Sequence, residues 1–128
     1  MILDTSAVVA IIVREPGWES LFEKLTTATR AGIGAPTAAE AGIVLRARVG
    51  SMGQSLLVRF LQEFGVETIP FGDLHWRKAV EVYGAFGKGY HPAALNFGDC
   101  MAYATARLAE QPLLCRGDDF PRTDLDIA

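Results

Sequence analysis

Histidine and cysteine are scarce in this chain: two of each among 128 residues. Cys100 and Cys115 form no CxxC pair and have no histidine at ligand spacing, so nothing suggests a zinc site. In a reducing compartment they read as small core residues. No stretch of about 18 apolar residues runs without a charge, which excludes a membrane-spanning helix. The N-terminus has no basic region ahead of its apolar segment, so it does not read as a signal peptide, and the cytoplasm is the expected location. Positive charge is also short. Twelve Lys and Arg stand against 15 Asp and Glu, for a net charge of −3 and a pI near 5.3, which excludes the broad basic surface of a general nucleic-acid coater.

Apolar residues, by contrast, make up half the chain, and mean hydropathy is +0.21. That is enough for a real core, and the length suits one domain spanning 1–128. Periodicity predicts a short strand over Met1–Asp4 and a helix over Thr5–Arg14. A second helix carries Trp18, Leu21, Phe22 and Leu25, a strand follows at 32–35, and a third helix runs from Thr37 to Val49. A fourth helix bears Leu56, Leu57, Phe60, Leu61 and Phe64, and Val66–Ile69 reads as a strand. Leu74–Phe86 is helical with Trp76, Val80 and Tyr83 on one face. The glycine-rich loop GKGYHPAALNFG leads to a helix opening at Asp99, Leu113–Cys115 is the last strand, and a polar tail ends the chain. Short apolar strands alternating with helices indicate an α/β fold in three α/β/α layers around a central, mainly parallel sheet.

Ligands of such sheets bind beyond the carboxyl ends of the strands, and four junctions there carry acids: Asp4, Glu40, Asp99, and the pair Asp118–Asp119. Each has a structural explanation. Asp4 and Asp99 suit helix N-caps, Thr37 and Glu40 have the spacing of a capping box, and Asp118 and Asp119 suit a turn. Together they present a conflict, because two carboxylates about 5 Å apart repel by roughly 3 kcal/mol at an effective dielectric of about 20. Thr5 and Ser6 could cap without that cost. A divalent cation removes the conflict, and an oxygen-only donor set suits Mg²⁺ or Mn²⁺. Such an ion can activate water against a phosphodiester.

The segments MILDTSAVVAI, PTAAEAGIVL, LNFGDCMAYATA and LLCRGDDFPRTDL resemble, in order and spacing, the four acidic motifs of PIN domains, specifically those of VapC-type toxins. The resemblance covers nearly the whole chain. It implies a Mg²⁺-dependent endoribonuclease, with Mn²⁺ as a substitute, forming the toxin component of a toxin–antitoxin module. It also implies a homodimer, an RNA substrate and a cognate VapB-type antitoxin that presents an arginine to the acids.

Carried over by position, Asp4 and Asp99 match the metal ligands, and Glu40 matches the acid that contacts metal or orients the nucleophile. Where many relatives have a further aspartate this chain has Gly117, so Asp119 is the expected fourth acid and Asp118 its substitute. Thr5, Ser6 and Asn96 are candidate supports, and Lys88, Arg116 and Arg122 are candidate RNA contacts. Two Mg²⁺ ions would bring the formal charge from −3 to +1, so RNA binding should need metal. The apolar residues of the second and fourth helices are the expected partner surfaces.

Rival readings fit less well. A haloacid-dehalogenase-type phosphatase needs a second acid at position 6, which is Ser6. A response-regulator receiver needs an acidic pair on the first strand and a lysine on the last, where this chain has Arg116. A DNA-directed nuclease and a non-catalytic module of the same fold remain as alternatives.

Overall fold

A computed structural model describes residues 1–128. Four short strands, β1 (Ile2–Leu3), β2 (Ala31–Gly34), β3 (Val66–Ile69) and β4 (Leu113–Leu114), form one parallel sheet in the order β3-β2-β1-β4. Six helices surround it: α1 (Thr5–Val13), α2 (Trp18–Thr27), α3 (Ala35–Val49), α4 (Gly53–Glu63), α5 (Asp73–Phe86) and α6 (Phe97–Ala109). None is long and apolar enough to cross a membrane.

The pleat explains why these strands read as unbroken apolar runs. Successive residues face opposite sides, and both sides are covered. Leu3, Ile33 and Leu114 point into a core shared with α1 to α4, whereas Ile2 and Leu113 point into a second core built by α5, α6, Phe120 and Leu125. This is the expected three-layer arrangement. The sequence AGIG of β2 follows from it, since a Cβ at position 34 would lie 2.5 Å from Thr105 Oγ1 on α6. Only a glycine lets that helix lie so close.

Several expectations need correction. Helix α3 begins at Ala35, not Thr37, because Pro36 fits a helix's first turn. The capping box of Thr37 and Glu40 therefore does not form. Thr37 lies inside the helix with its hydroxyl buried and unpartnered. Helix α6 opens at Phe97 with Asn96 as N-cap, which puts Asp99 inside its first turn.

The polar tail also does more than end the chain. Leu113 N–H donates to Asp126 O and Ala128 N–H to Leu113 O, so residues 126–128 extend the sheet beside β4. On α2 and α4 the large apolar residues are mostly spent internally: Leu21, Leu25, Leu57 and Phe60 are buried, and Phe22 meets Trp18 and Phe64 edge-on. The exposed apolar face is on α5, where Leu74, Trp76, Val80 and Tyr83 stand open beside Phe97. Trp76, Val80, Tyr83 and Phe97, with Phe71 and Met101, line a groove of about 770 Å³ between α5 and α6.

Candidate active site

From β1 the chain steps outward to β2 and β3, then returns to place β4 on the other side of β1. The strand order reverses there, and a crevice opens at the carboxyl ends of β1 and β4. Asp4 stands at the end of β1 and is the N-cap of α1; its Oδ2 accepts hydrogen bonds from Ser6 N–H (3.0 Å) and Ser6 Oγ (2.6 Å). The capping reading is thus correct as far as it goes, but Asp4 is only 4% exposed. Desolvation by burial raises its pKa above the ordinary value; the Ser6 hydrogen bonds oppose that shift, and the Glu40 charge adds to it.

Glu40, half-buried in α3, accepts a hydrogen bond on Oε1 from Thr5 Oγ1. The two hydroxyls after Asp4 thus divide their work: Ser6 holds Asp4, and Thr5 holds Glu40 instead of Asp4. On its other side the Glu40 carboxylate lies against Gly98, where any Cβ would collide with it.

Asp99 is held reciprocally by Asn96: its N–H donates to Asn96 Oδ1 (2.9 Å), and Asn96 N–H donates to Asp99 Oδ2 (3.0 Å). Its pKa is pushed up to about 6, first by burial and then, against the Asn96 bond, by the charges of Asp4, Asp119 and Glu40. Fold and field thus bring Asp4, Glu40, Asp99 and Asp119 into one neighbourhood at the start of α6. Asp118, exposed like Asp119, is not among the charges acting on Asp99.

Counter-charge is missing from this neighbourhood. None of the five ion pairs involves any of the four acids. No three His, Cys, Asp or Glu side chains meet closely enough to grip an ion between them. The donors present are carboxylate oxygens, the kind a hard divalent cation takes with water completing its shell. Neither thiol competes for it as a thiolate: burial, with smaller contributions from nearby acids, pushes Cys100 up to about 11 and Cys115 up to about 12.

The basic candidates part company. Arg116 pairs with Glu15 at 2.8 Å, Arg122 donates to Pro92 O at 3.4 Å, and Lys88 lines the α5–α6 groove with Asn96. Both histidines have local tasks, with Nδ1 of His75 accepting from Gly72 N–H and Nδ1 of His91 from Ala93 N–H. Sequence reasoning missed Gly98, although a glycine directly before a site aspartate was a readable signal. It also missed Glu15 and Arg48, whose pairing spans 33 residues and leaves no local trace.

The PIN domain family profile matches residues 1–125. The chain belongs to the PIN domain family. Ribonuclease VapC36 of Mycobacterium tuberculosis is 46% identical over 128 residues, covering 99% of this PIN domain chain and 92% of the relative. Ribonuclease VapC42 of the same species is 37% identical over 126 residues, with 98% and 96% covered. Among solved structures, M. tuberculosis VapC20, described as a sarcin–ricin loop cleaving toxin, superposes with a TM-score of 0.82 at 13% identity, covering 99% of this chain and 97% of that one. VapBC2 from Rickettsia felis, bound to a DNA fragment from its promoter, gives 0.75 at 19% identity, covering 98% and 94%. At those identities the two structures speak for the fold of this PIN domain.

Proposed function

We propose that this PIN domain, working as one unit over residues 1–128, is a Mg²⁺- or Mn²⁺-dependent endoribonuclease and the toxin component of a VapBC-type module. The observation that carries the reading is the gathering of four carboxylates around the start of α6 with no cationic side chain among them. Curated relatives named as VapC ribonucleases over nearly the full chain support it.

A bound divalent ion supplies an acidified water and counter-charge for the phosphate oxygens. Asp4 and Asp99 would hold that ion; the Ser6 hydroxyl and the Asn96 N–H fix their carboxylates. Glu40, with Oε1 engaged by Thr5, keeps Oε2 free to take a proton from the attacking water or to orient it. Asp119 adds further negative charge beside Asp99, after burial and Asp4 in its effect on that carboxyl.

The antitoxin partner follows from the same module. A VapB-type protein that places a basic side chain among these acids would replace the ion's charge and block cleavage. The homodimer, in this reading, uses the exposed α5–α6 face and not α2 and α4, most of whose large apolar residues are packed inside.

The test is cleavage of total cellular RNA by antitoxin-free protein with Mg²⁺ or Mn²⁺ and with EDTA, beside Asp4→Asn and Asp99→Asn. Discrete metal-dependent fragments lost in both variants are expected. Intact RNA after incubation with folded, metal-supplied protein would overturn the reading, and cleavage of single-stranded DNA in its place would move the substrate.

A further inference from the structure

We propose that the cleft reached from Asp4 through Ser6 binds the sugar–phosphate backbone of RNA beside the scissile bond, with Arg48 and Arg116 as its anion-binding groups. The proposal rests on the ribonuclease reading and adds where the strand runs. The cleft has a volume of about 520 Å³ and is lined by Thr5, Ser6, Glu15, Arg48, Arg116 and Gly117. Ser6 joins it to the acids, since Ser6 Oγ donates to Asp4 Oδ2 and accepts from Arg116 N–H at 2.9 Å.

Charge distinguishes this cleft from its surroundings. Glu15 is one carboxylate between two guanidinium groups, taking Arg48 on Oε1 and Arg116 on Oε2, each at 2.8 Å. Two cations against one anion leave a positive excess beside a cluster of four acids, in a chain whose net charge is −3. Donors remain as well. A guanidinium has five N–H groups; Arg48 directs two at Glu15, and Arg116 spends one on Glu15 and one on Pro16 O. The arginine side chains stay 46% and 44% exposed while Glu15 is 20% exposed. Glu15 therefore acts as a half-buried bracket that holds two planar forks at the cleft with donors left over. That is the preorganised geometry phosphate recognition favours. Backbone contacts of this kind position a strand without reading its bases.

A purely structural alternative makes the triad a staple tying the ends of α1, α3 and β4. The two accounts differ on Glu15. Removing its charge weakens a staple, but it strips an internal counter-ion from an anion site.

The experiment measures binding of a labelled single-stranded RNA oligonucleotide of mixed sequence to the full chain over a salt series. All proteins carry Asp99→Asn to stop cleavage, and thermal unfolding checks each fold. Arg48→Ala and Arg116→Ala should each weaken binding about five- to twenty-fold and reduce the slope of log K against log salt by about 0.7. Glu15→Gln should tighten binding a few-fold. Should an alanine variant unfold, Arg→Gln at the same position is read by the same slope.

Unchanged affinity and slope in both arginine variants would overturn the proposal, as would Glu15→Gln weakening RNA binding. Loss of binding to a co-expressed antitoxin with RNA binding intact would reassign the cleft and equally overturn it. A chain with Asp99 intact that neither binds nor cleaves the oligonucleotide in Mg²⁺ would overturn the ribonuclease reading together with this one, whereas RNA binding with unmoved slopes removes this one alone.

Discussion

Replacing Asp99 by Asn should stabilise the metal-free protein while abolishing cleavage. Asp99 has a pKa of about 6 in the fold against an ordinary value of 3.8, so folding opposes its ionisation. The difference is worth up to about 3 kcal/mol, and partial solvent access reduces the working figure to about 1 to 2 kcal/mol. The sign follows from linkage. A carboxyl with a raised folded pKa adds stability below its unfolded value and loses it as pH rises through about 6. At pH 7.5 the wild type therefore bears the full penalty of the charged form, and at pH 4.5 about a third of it.

Asparagine is close in shape and can still accept the Asn96 N–H bond that Asp99 accepts at 3.0 Å. Its loss of charge removes the repulsion from Asp4, Asp119 and Glu40. In EDTA at pH 7.5, Asp99→Asn should raise Tm by about 4 to 8 °C, and the gain should shrink at pH 4.5. Thermal unfolding followed by circular dichroism at both pH values measures it. A variant less stable than wild type at pH 7.5, or a difference that does not change with pH, would refute the argument and leave Asp99 as an ordinary helix-start residue.

Other perturbations probe neighbouring steps. Gly98→Ala should cut RNA cleavage at least about tenfold with a Tm near wild type, because the new methyl displaces only the mobile end of Glu40; steady-state cleavage rates together with melting curves test this. Mg²⁺ at a hundred times its Kd should add about 2.7 kcal/mol to wild-type stability, measured by denaturant titration, and Asp4→Asn should lose that gain. Gly53→Ala should destabilise by about 2 to 3 kcal/mol because its Cβ would lie 2.5 Å from Arg46 N, backbone that cannot yield as a side chain can; the midpoint of urea unfolding reports it.

A functional reading and its structural rival proved compatible at two positions. Asp4 does cap α1, and Asp99 does exchange capping bonds with Asn96. Capping engages Oδ2 of each carboxylate, and it accounts for neither the burial of Asp4 nor the acids around Asp99. The same bonds that cap the helices also fix the orientation of the groups that would hold a metal.

What the sequence determined by itself was the element order, the parallel sheet and the four acids at the strand ends. Those depend on local signals: apolar runs too short for helices, glycine and proline breaks, and carboxylates at junctions. Helix starts were misplaced by two residues at Thr37 and Asp99, because first-turn residues and caps draw on the same residue types and only the backbone path separates them. Tertiary structure alone decided that Thr5 would hold Glu40 and that Glu15 would bracket Arg48 and Arg116. It also decided that α5, not α2 or α4, would leave its apolar face open. Each of these is a meeting of residues far apart in the chain, set by how the helices pack on the two faces of the sheet, and no spacing along one segment encodes it.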